Sequence, residues 1–450
     1  MGLTGIQIFK LLPRKNCGEC GVPTCLAFAM NLAGGKVELD KCPYVSEEAR
    51  ENLAAESAPP IRPLTVGTGE YALRIGGETV LFRHEKTFVN PPGLGVLVST
   101  DEDGGSVDGK IERFRKCQYE RVGLKLRADL FAVKDTSRDA SRFTALAGKV
   151  SDGTGAGLIL MSEDVKVLKA AVSELKEKKP LIYAATADTA EALGSLAKEA
   201  ACPLAVKGDG SLESVIALTE KLSQMGLRDL VIDTGTRDLK KVFQEQIWIR
   251  RAAIKDRFRP LGFPTMILAY EMAADLAEET LIAATFIAKY GAILVLSDFQ
   301  PSSLFPLFLD RLNIYTDPQR PMTAEQGIYP INNPDENSPV LVTSNFSLTY
   351  FIVSGEIESS RVPSWLCVQD TEGLSVVTAW AAGKFSGESV GAFINNCGIK
   401  EKVKHSVIVI PGYAAAISGE LEEELGGWSV RVGPREASQI PKFLKVWKPV

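Results

Sequence analysis

Four of the eight cysteines crowd between residues 17 and 42, in the spacing C-x2-C-x4-C-x16-C. They are Cys17, Cys20 and Cys25 in Asn16-Cys-Gly-Glu-Cys-Gly-Val-Pro-Thr-Cys25, and Cys42 in Lys41-Cys-Pro43. An iron–sulfur cube needs four converging thiolates, and short loops let the first three wrap one corner. Gly18 and Gly21 permit the positive-φ turns that wrapping requires. Cys42-Pro43 has the Cys-Pro ending of ferredoxin-type ligand runs. The spacing predicts a 4Fe–4S cluster. A structural zinc site or four unrelated thiols are the alternatives, although zinc favours paired C-x2-4-C knuckles and a second pair is missing. Cys117, Cys202, Cys367 and Cys397 are scattered singly, as buried small hydrophobes are. With only His84 and His405 in the chain, any metal must rely mainly on other ligands.

A second constellation lies near the C-terminus. The apolar runs Val340-Leu-Val-Thr343, Trp365-Leu-Cys-Val-Gln369, Ser406-Val-Ile-Val-Ile410 and Trp428-Ser-Val-Arg-Val432 read as strands. Helical segments follow them from about Ser347, Ser375, Ala414 and Arg435. Open α/β sheets bind ligands beyond the carboxyl ends of their strands. Those ends carry four loops, 343–349, 370–375, 411–415 and 433–435, and three of them contain glycine. Such a rim suits a flat or anionic ligand that needs close backbone approach. The residues offered for it are Thr343, Asn345, Thr349, Asp370, Thr371, Glu372, Gly373, Leu374, Ser375, Gly412, Ala416, Gly433, Pro434 and Arg435. Any one loop is an ordinary βα turn; the expectation rests on four along one edge. No G-x-G-x-x-G follows a strand and no G-x-x-x-x-G-K-[ST] occurs, so neither a dinucleotide nor a P-loop nucleotide is expected.

Other chemistry-bearing residues are not promoted. His84 and His405 read as surface strand residues. Asp233 and Asp298 end strands where barrel enzymes place catalytic groups, but aspartates there are also common caps. No acid–base constellation emerges and no catalytic residue is assigned.

The elements that position these groups fall into three regions. Residues 1–57 form a small cluster domain with a helix from Thr4 to Leu12, and Ala58-Pro-Pro-Ile-Arg-Pro63 suits a stiff linker. Residues 58–325 alternate helical patterns with continuous Val/Ile/Leu runs, the mark of parallel strands buried on both faces. Their number and length fit a (β/α)8 TIM-like barrel serving as scaffold or docking surface, with a large doubly wound sheet as the alternative. Pro318, Pro321, Pro330 and Pro334 punctuate a second linker, and residues 326–450 form an open, Rossmann-like α/β domain. The fold class is thus α/β multidomain.

At 450 residues several domains are expected, and 45% hydrophobic with 24% charged residues is ordinary for a globular protein. A net charge of -5 with no Lys/Arg-rich run argues against nucleic acid. No stretch approaches the ~18 apolar residues of a membrane span, and Met1 to Lys10 lacks signal-peptide regions. A cytoplasmic protein is expected, without a disulfide framework.

With these segments in view, the chain resembles the large (gamma) subunit of the corrinoid iron–sulfur protein of the acetyl-CoA (Wood–Ljungdahl) carbon-fixation pathway, the acetyl-CoA decarbonylase/synthase complex family. The resemblance spans the whole length. It rests on Cys17-Gly-Glu-Cys-Gly-Val-Pro-Thr-Cys25, Thr343-Ser-Asn-Phe-Ser-Leu-Thr-Tyr350, Asp370-Thr-Glu-Gly373, Thr378-Ala-Trp-Ala-Ala-Gly-Lys384, Pro411-Gly-Tyr413 and Val432-Gly-Pro-Arg-Glu-Ala-Ser438. It implies a methyl carrier rather than a self-sufficient enzyme. A corrinoid cobalt, as Co(I), accepts methyl from methyltetrahydrofolate through a methyltransferase. It delivers that methyl to the nickel centre of carbon monoxide dehydrogenase/acetyl-CoA synthase, and the 4Fe–4S cluster reductively reactivates Co(II). The resemblance also implies a heterodimer with a barrel-shaped small subunit. The D-x-H-x-x-G motif that ligates cobalt in many corrinoid proteins is absent, which fits a base-off corrinoid. The alternative function is an iron–sulfur electron-transfer subunit without corrinoid.

Overall fold

The computed structural model describes residues 5–33, 37, 39–46, 59–121, 124–317 and 322–448. Thr4, Ala58, Pro318, Pro321 and the expected boundary at residue 57 lie outside them. The chain forms two compact units, one of Met1–Leu81, Val89–Ile111 and Asp129–Ser303, the other of Phe82–Phe88, Glu112–Ala128 and Leu304–Val450.

The first unit holds a closed barrel of eight parallel strands in sequence order: β1 Gly93–Ser99, β2 Leu130–Lys134, β3 Gly157–Met161, β4 Leu181–Ala185, β5 Leu204–Lys207, β6 Leu230–Asp233, β7 Thr265–Leu268 and β8 Gly291–Leu296. The continuous apolar runs arise because both strand faces are buried. Leu130, Ala132, Ile159, Leu181, Ala205, Val231 and Ile293 fill the interior, while Phe131, Leu158 and Ile232 pack outward and are equally inaccessible. Helices after the strands start on side-chain caps, among them Asp139, Asp164, Ser211, Asp238 and Asp275, each accepting a backbone N–H of the first turn. Such a cap contributes about 1 kcal/mol.

A hairpin of Leu64–Val66 and Leu73–Ile75 adds Leu64, Val66 and Ile75 to the barrel interior. Gly67 N donates to Lys179 O and packs on Gly157, so the hairpin plugs the amino-terminal end. Its three-residue strands are too short to show periodicity in sequence. The segment expected as a linker is part of the same packing. Pro60 and Ile61 are buried, and Arg62 N donates to Gly262 O.

The second unit is built on a five-stranded sheet of β9 Gly327–Ile331, β10 Val340–Ser344, β11 Ser364–Gln369, β12 Val407–Ile410 and β13 Ser429–Val432, in the order β9-β11-β10-β12-β13. Only β9 is antiparallel. It carries Pro330, read from sequence as linker; on an edge strand proline's missing N–H costs no ladder bond. Alternate residues feed two cores. Val340, Val342, Ile408 and Ile410 face one, with Phe385, Phe393 and Leu421; Leu341, Leu366 and Val409 face the other, with Ile357 and Leu444. No described helix is long and apolar enough to cross a membrane.

Candidate functional site

The four cysteines are assembled by two short helices, α1 Gly5–Leu11 and α2 Cys25–Ala33. Ile8 and Leu12 pack on Phe28 and Ala29, together with Cys25 and Cys42. Cys17 is exposed, Cys20 half-buried, Cys25 and Cys42 buried, and all four line one hollow. Gly18 at φ 78° and Gly21 at φ 83° make the left-handed turns between them. Asn16 clamps the loop: its N–H donates to Cys25 Sγ at 3.4 Å, and its Oδ1 accepts from Cys25 N at 2.8 Å. Cys25 is also the first residue of α2. Among the described residues, no three His, Cys, Asp or Glu side chains converge as ligands of a single ion would.

In the second unit, β10 leads to β11 on one side, and the chain then crosses to β12 on the other. Loops leaving β10 and β12 therefore part, and a crevice opens at this switch point beyond the carboxyl ends. It encloses about 330 Å³ over Leu341, Val342, Val409 and Ile410. Six of the sequence-expected residues line it: Thr343, Thr349, Ser375, Gly433, Pro434 and Arg435. Thr343 is 1% exposed, and its Oγ1 has no hydrogen-bond partner; the neighbouring Ser344 Oγ and Gln369 Oε1 share that condition. Buried hydroxyls without partners are uncommon and costly, so Thr343, the one of the three that lines the crevice, points to a polar ligand there.

The remaining expected residues shape the crevice rather than line it. Asn345, 4% exposed, donates from Nδ2 to Asp370 Oδ1 at 2.8 Å. Its Oδ1 accepts from Thr371 N, Thr371 Oγ1 and Gly373 N at 3.0, 3.0 and 3.1 Å. The Thr371 hydroxyl also reaches Leu374 O at 2.8 Å, so it is engaged within its own loop. Glu372 and Gly373 adopt positive φ, 56° and 75°, and Glu372 pairs with Lys384. Leu374 packs against the core. Gly412 brings two loops together: a Cβ there would meet Arg435 N and Gly433 O at 2.7 Å. Gly412 N and Gly433 N complete the join by donating to Pro434 O and Ile410 O. Ala416 is exposed and does not line the crevice.

Residues that sequence reasoning missed supply the apolar walls. Ile352 and Val353 come from the helix Ser347–Ser360, and Ile440 from Ile440–Lys445. Val377 and Tyr413 stand on the rim, 47% and 52% exposed, near the exposed Leu348 and Trp380. A rim of exposed large hydrophobes marks a ligand or partner surface. That signal was present in sequence only as helix faces that read equally well as core.

The residues left aside have ordinary explanations, one different from that expected. His405 is buried rather than on the surface. Its Nδ1 accepts from Val407 N at 3.3 Å, and its Nε2 lies 2.9 Å from Ser338 O, so the ring is tied at the amino end of β12, away from the crevice. His84 lies in an exposed turn, not a strand, stacked on Phe82. Asp233 is enclosed by Tyr183, Arg237 and Gly235, and Asp298 accepts from Phe299 N and Gln300 Nε2.

Residues 63–444 match the family described as CO dehydrogenase/acetyl-CoA synthase delta subunit, and residues 12–44 one described as "Putative Fe-S cluster". The chain is 45% identical to the corrinoid/iron–sulfur protein large subunit of Moorella thermoacetica over 99% of both chains. It is 36% identical to the acetyl-CoA decarbonylase/synthase complex subunit gamma of Methanopyrus kandleri, over 98% of this chain and 97% of that one. The gamma subunit of Methanothermobacter thermautotrophicus is 35% identical over 99% of each chain. The family match over 63–444 carries the delta name, but the full-length relatives are large or gamma subunits and also cover the cysteine segment. The chain therefore belongs to the family of corrinoid/iron–sulfur protein large subunits and acetyl-CoA decarbonylase/synthase gamma subunits.

Proposed function

We propose that the chain is a methyl-carrying subunit, with a 4Fe–4S cluster on Cys17, Cys20, Cys25 and Cys42 and a base-off corrinoid across the β10–β12 crevice. The division into a cluster domain (1–57), a barrel (58–325) and a Rossmann-like corrinoid domain (326–450) belongs to this reading. One observation carries it: the partnerless, buried Thr343 hydroxyl at the floor of a crevice whose rim is apolar. A corrin ring is broad and apolar in its plane, with amide arms at its edge. The walls at Ile352, Val377 and Tyr413 suit the former, and the hydroxyls of Thr343, Thr349 and Ser375 suit the latter.

When bound, the corrinoid would supply the centre that takes a methyl from methyltetrahydrofolate, through its methyltransferase, for delivery to carbon monoxide dehydrogenase/acetyl-CoA synthase, and the cluster would supply electrons to restore that centre. The protein's own part is to hold, shield and leave open. Asn345 holds the 370–375 loop, so that Ser375 stays at the rim. The Gly412 contact holds the opposite loop pair closed. No imidazole lines the crevice among the described residues, and the His405 ring is engaged elsewhere, so the protein offers no strong lower ligand. The four cysteines on one hollow match the four thiolates that an iron–sulfur cube needs. A small subunit, the methyltransferase and the synthase are the proposed partners.

The visible spectrum and metal content of anaerobically purified protein test this reading. Corrinoid bands beyond the broad iron–sulfur absorption, with cobalt stoichiometric to protein, are expected. Iron without cobalt after reconstitution with corrinoid would leave an electron-transfer subunit instead.

A further inference from the structure

The mouth of the barrel carries a second candidate site, independent of the corrinoid reading. Along β2, β5 and β6 the inward-facing Ala132, Ala205 and Val231 are followed two residues on by Lys134, Lys207 and Asp233, so the last interior layer turns from apolar to charged. Above it lies a cavity of about 570 Å³, lined by Lys134, Lys207, Arg138, Tyr183, Thr186 and Thr189 among others. That volume lies within the range of small-molecule sites, and the carboxyl face is where barrel enzymes bind ligands.

Most of the acids here are already committed; Glu163, an exposed lining residue, is the exception among the described residues. Asp233 accepts from Tyr183 Oη at 2.5 Å, Arg237 Nη1 and Nη2 at 3.0 and 2.9 Å, and Gly235 N at 2.9 Å. Glu271 accepts from Arg237 Nε at 2.5 Å and Tyr270 Oη at 2.9 Å. Asp135 accepts from Ser162 Oγ at 2.8 Å and two loop N–H groups, and Asp164 caps its helix. Of the two lysines, Lys207 is uncommitted and Lys134 is only loosely paired. Lys207, half-buried, makes no side-chain ion pair or hydrogen bond among the described residues. Lys134 approaches Glu271 only to 3.8 Å and lies 5.5 Å from the Tyr270 ring centre. Thr186 and Thr189 share one hydrogen bond at 3.1 Å, which leaves one hydroxyl proton over.

We infer that the barrel mouth binds a small carboxylate- or phosphate-bearing metabolite, its anionic group held between Lys134 and Lys207. A half-buried ammonium with no ion pair among the described residues, as at Lys207, gains a charge-assisted contact when an anion binds. The barrel is then a ligand-binding domain as well as a scaffold.

The test is isothermal titration of the full-length protein with inorganic phosphate and, separately, with succinate, each at constant ionic strength. At least one should bind saturably, with Kd of about 1 mM or tighter; which one does so identifies the anionic group. Lys207→Gln and Lys134→Gln should each weaken it about tenfold or more, the scale of one charge-assisted contact. Lys207→Arg should retain binding, and Lys178→Gln, at an exposed position outside the cavity, should change nothing. Failure of both anions to bind wild-type protein would overturn the inference. So would an unchanged Kd in the two glutamine variants.

Discussion

Asn345→Ala should empty the crevice of corrinoid while leaving most of the protein folded. The substitution removes the acceptor for Thr371 N–H and Gly373 N–H, both buried contacts. Each orphaned donor costs about 1–3 kcal/mol, so the 370–375 loop loses about 2–6 kcal/mol. The Thr371 hydroxyl adds little, because it keeps Leu374 O, and Asp370 Oδ1 keeps Glu372 N. Against a domain stability of 5–15 kcal/mol this favours local opening over global unfolding. Two consecutive left-handed residues, Glu372 and Gly373, then rely on the Glu372 N–Asp370 and Thr371–Leu374 contacts within the loop and on the exposed Lys384 pair. Asn345→Asp keeps the acceptor but sets a carboxylate against Asp370, at the 2.8 Å contact now made by an amide. The exchange Asn345→Asp with Asp370→Asn restores the pair with donor and acceptor reversed, and should recover much of the loss. The assay pairs cobalt per protein, with iron as internal control, with hydrogen exchange of residues 370–375. Full cobalt and unchanged protection in Asn345→Ala would refute the reasoning.

Thr343→Val should stabilise the corrinoid-free protein by about 1–3 kcal/mol, by replacing a partnerless buried hydroxyl with a methyl, yet weaken cobalt retention; chemical denaturation with cobalt analysis checks both signs. Val at Gly373, where φ is 75°, or at Gly412, where a Cβ meets backbone at 2.7 Å, should lower cobalt occupancy more than Ala at Thr349, with the cluster intact. Cys20→Ala or Cys42→Ala should bind corrinoid and carry methyl, but an unimpaired reductive reactivation rate would remove the cluster's proposed role. Asp233→Asn should change methyl transfer by far less than the ~100-fold of a lost general acid or base, while destabilising the barrel by about 1–3 kcal/mol, because the buried Tyr183 and Arg237 contacts lose a charged acceptor while Arg237 keeps Glu271. Burial and the neighbouring Asp233 charge raise the Tyr183 pKa well above its ordinary 10.0. Above that pH the unfolded chain loses this proton while the folded chain keeps it, so stability falls with rising pH by up to about 1.4 kcal/mol per unit. Tyr183→Phe should flatten that slope in alkaline denaturation curves.

The barrel was readable because burial on both faces writes itself as unbroken apolar runs such as Leu158-Ile-Leu160, which lie within its strands. The crevice was half readable. Strand ends locate its loops from sequence alone, hence Thr343, Ser375 and Gly433. Asn345 was selected as a loop residue, but its work, four hydrogen bonds to a loop 25 or more residues away, leaves no local pattern. The same holds for His405, whose partner Ser338 is 67 residues distant, and for Gly412, whose small size serves the 433–435 loop. Pro330 misled because an edge strand tolerates what a central strand cannot. The charged barrel mouth has no local sequence pattern, because Lys134 and Lys207 lie 73 residues apart and meet at one cavity only through closure of the barrel.

The claim that this chain carries a methyl group in the β10–β12 crevice is tested most directly by transfer of isotope-labelled methyl. Reduced holoprotein, incubated with labelled methyltetrahydrofolate and its methyltransferase, should retain label stoichiometric with its cobalt. It should then release that label to carbon monoxide dehydrogenase/acetyl-CoA synthase, and Asn345→Ala should retain little. Fully cobalt-loaded protein that acquires no label, or Asn345→Ala that acquires as much as wild type, would contradict the account.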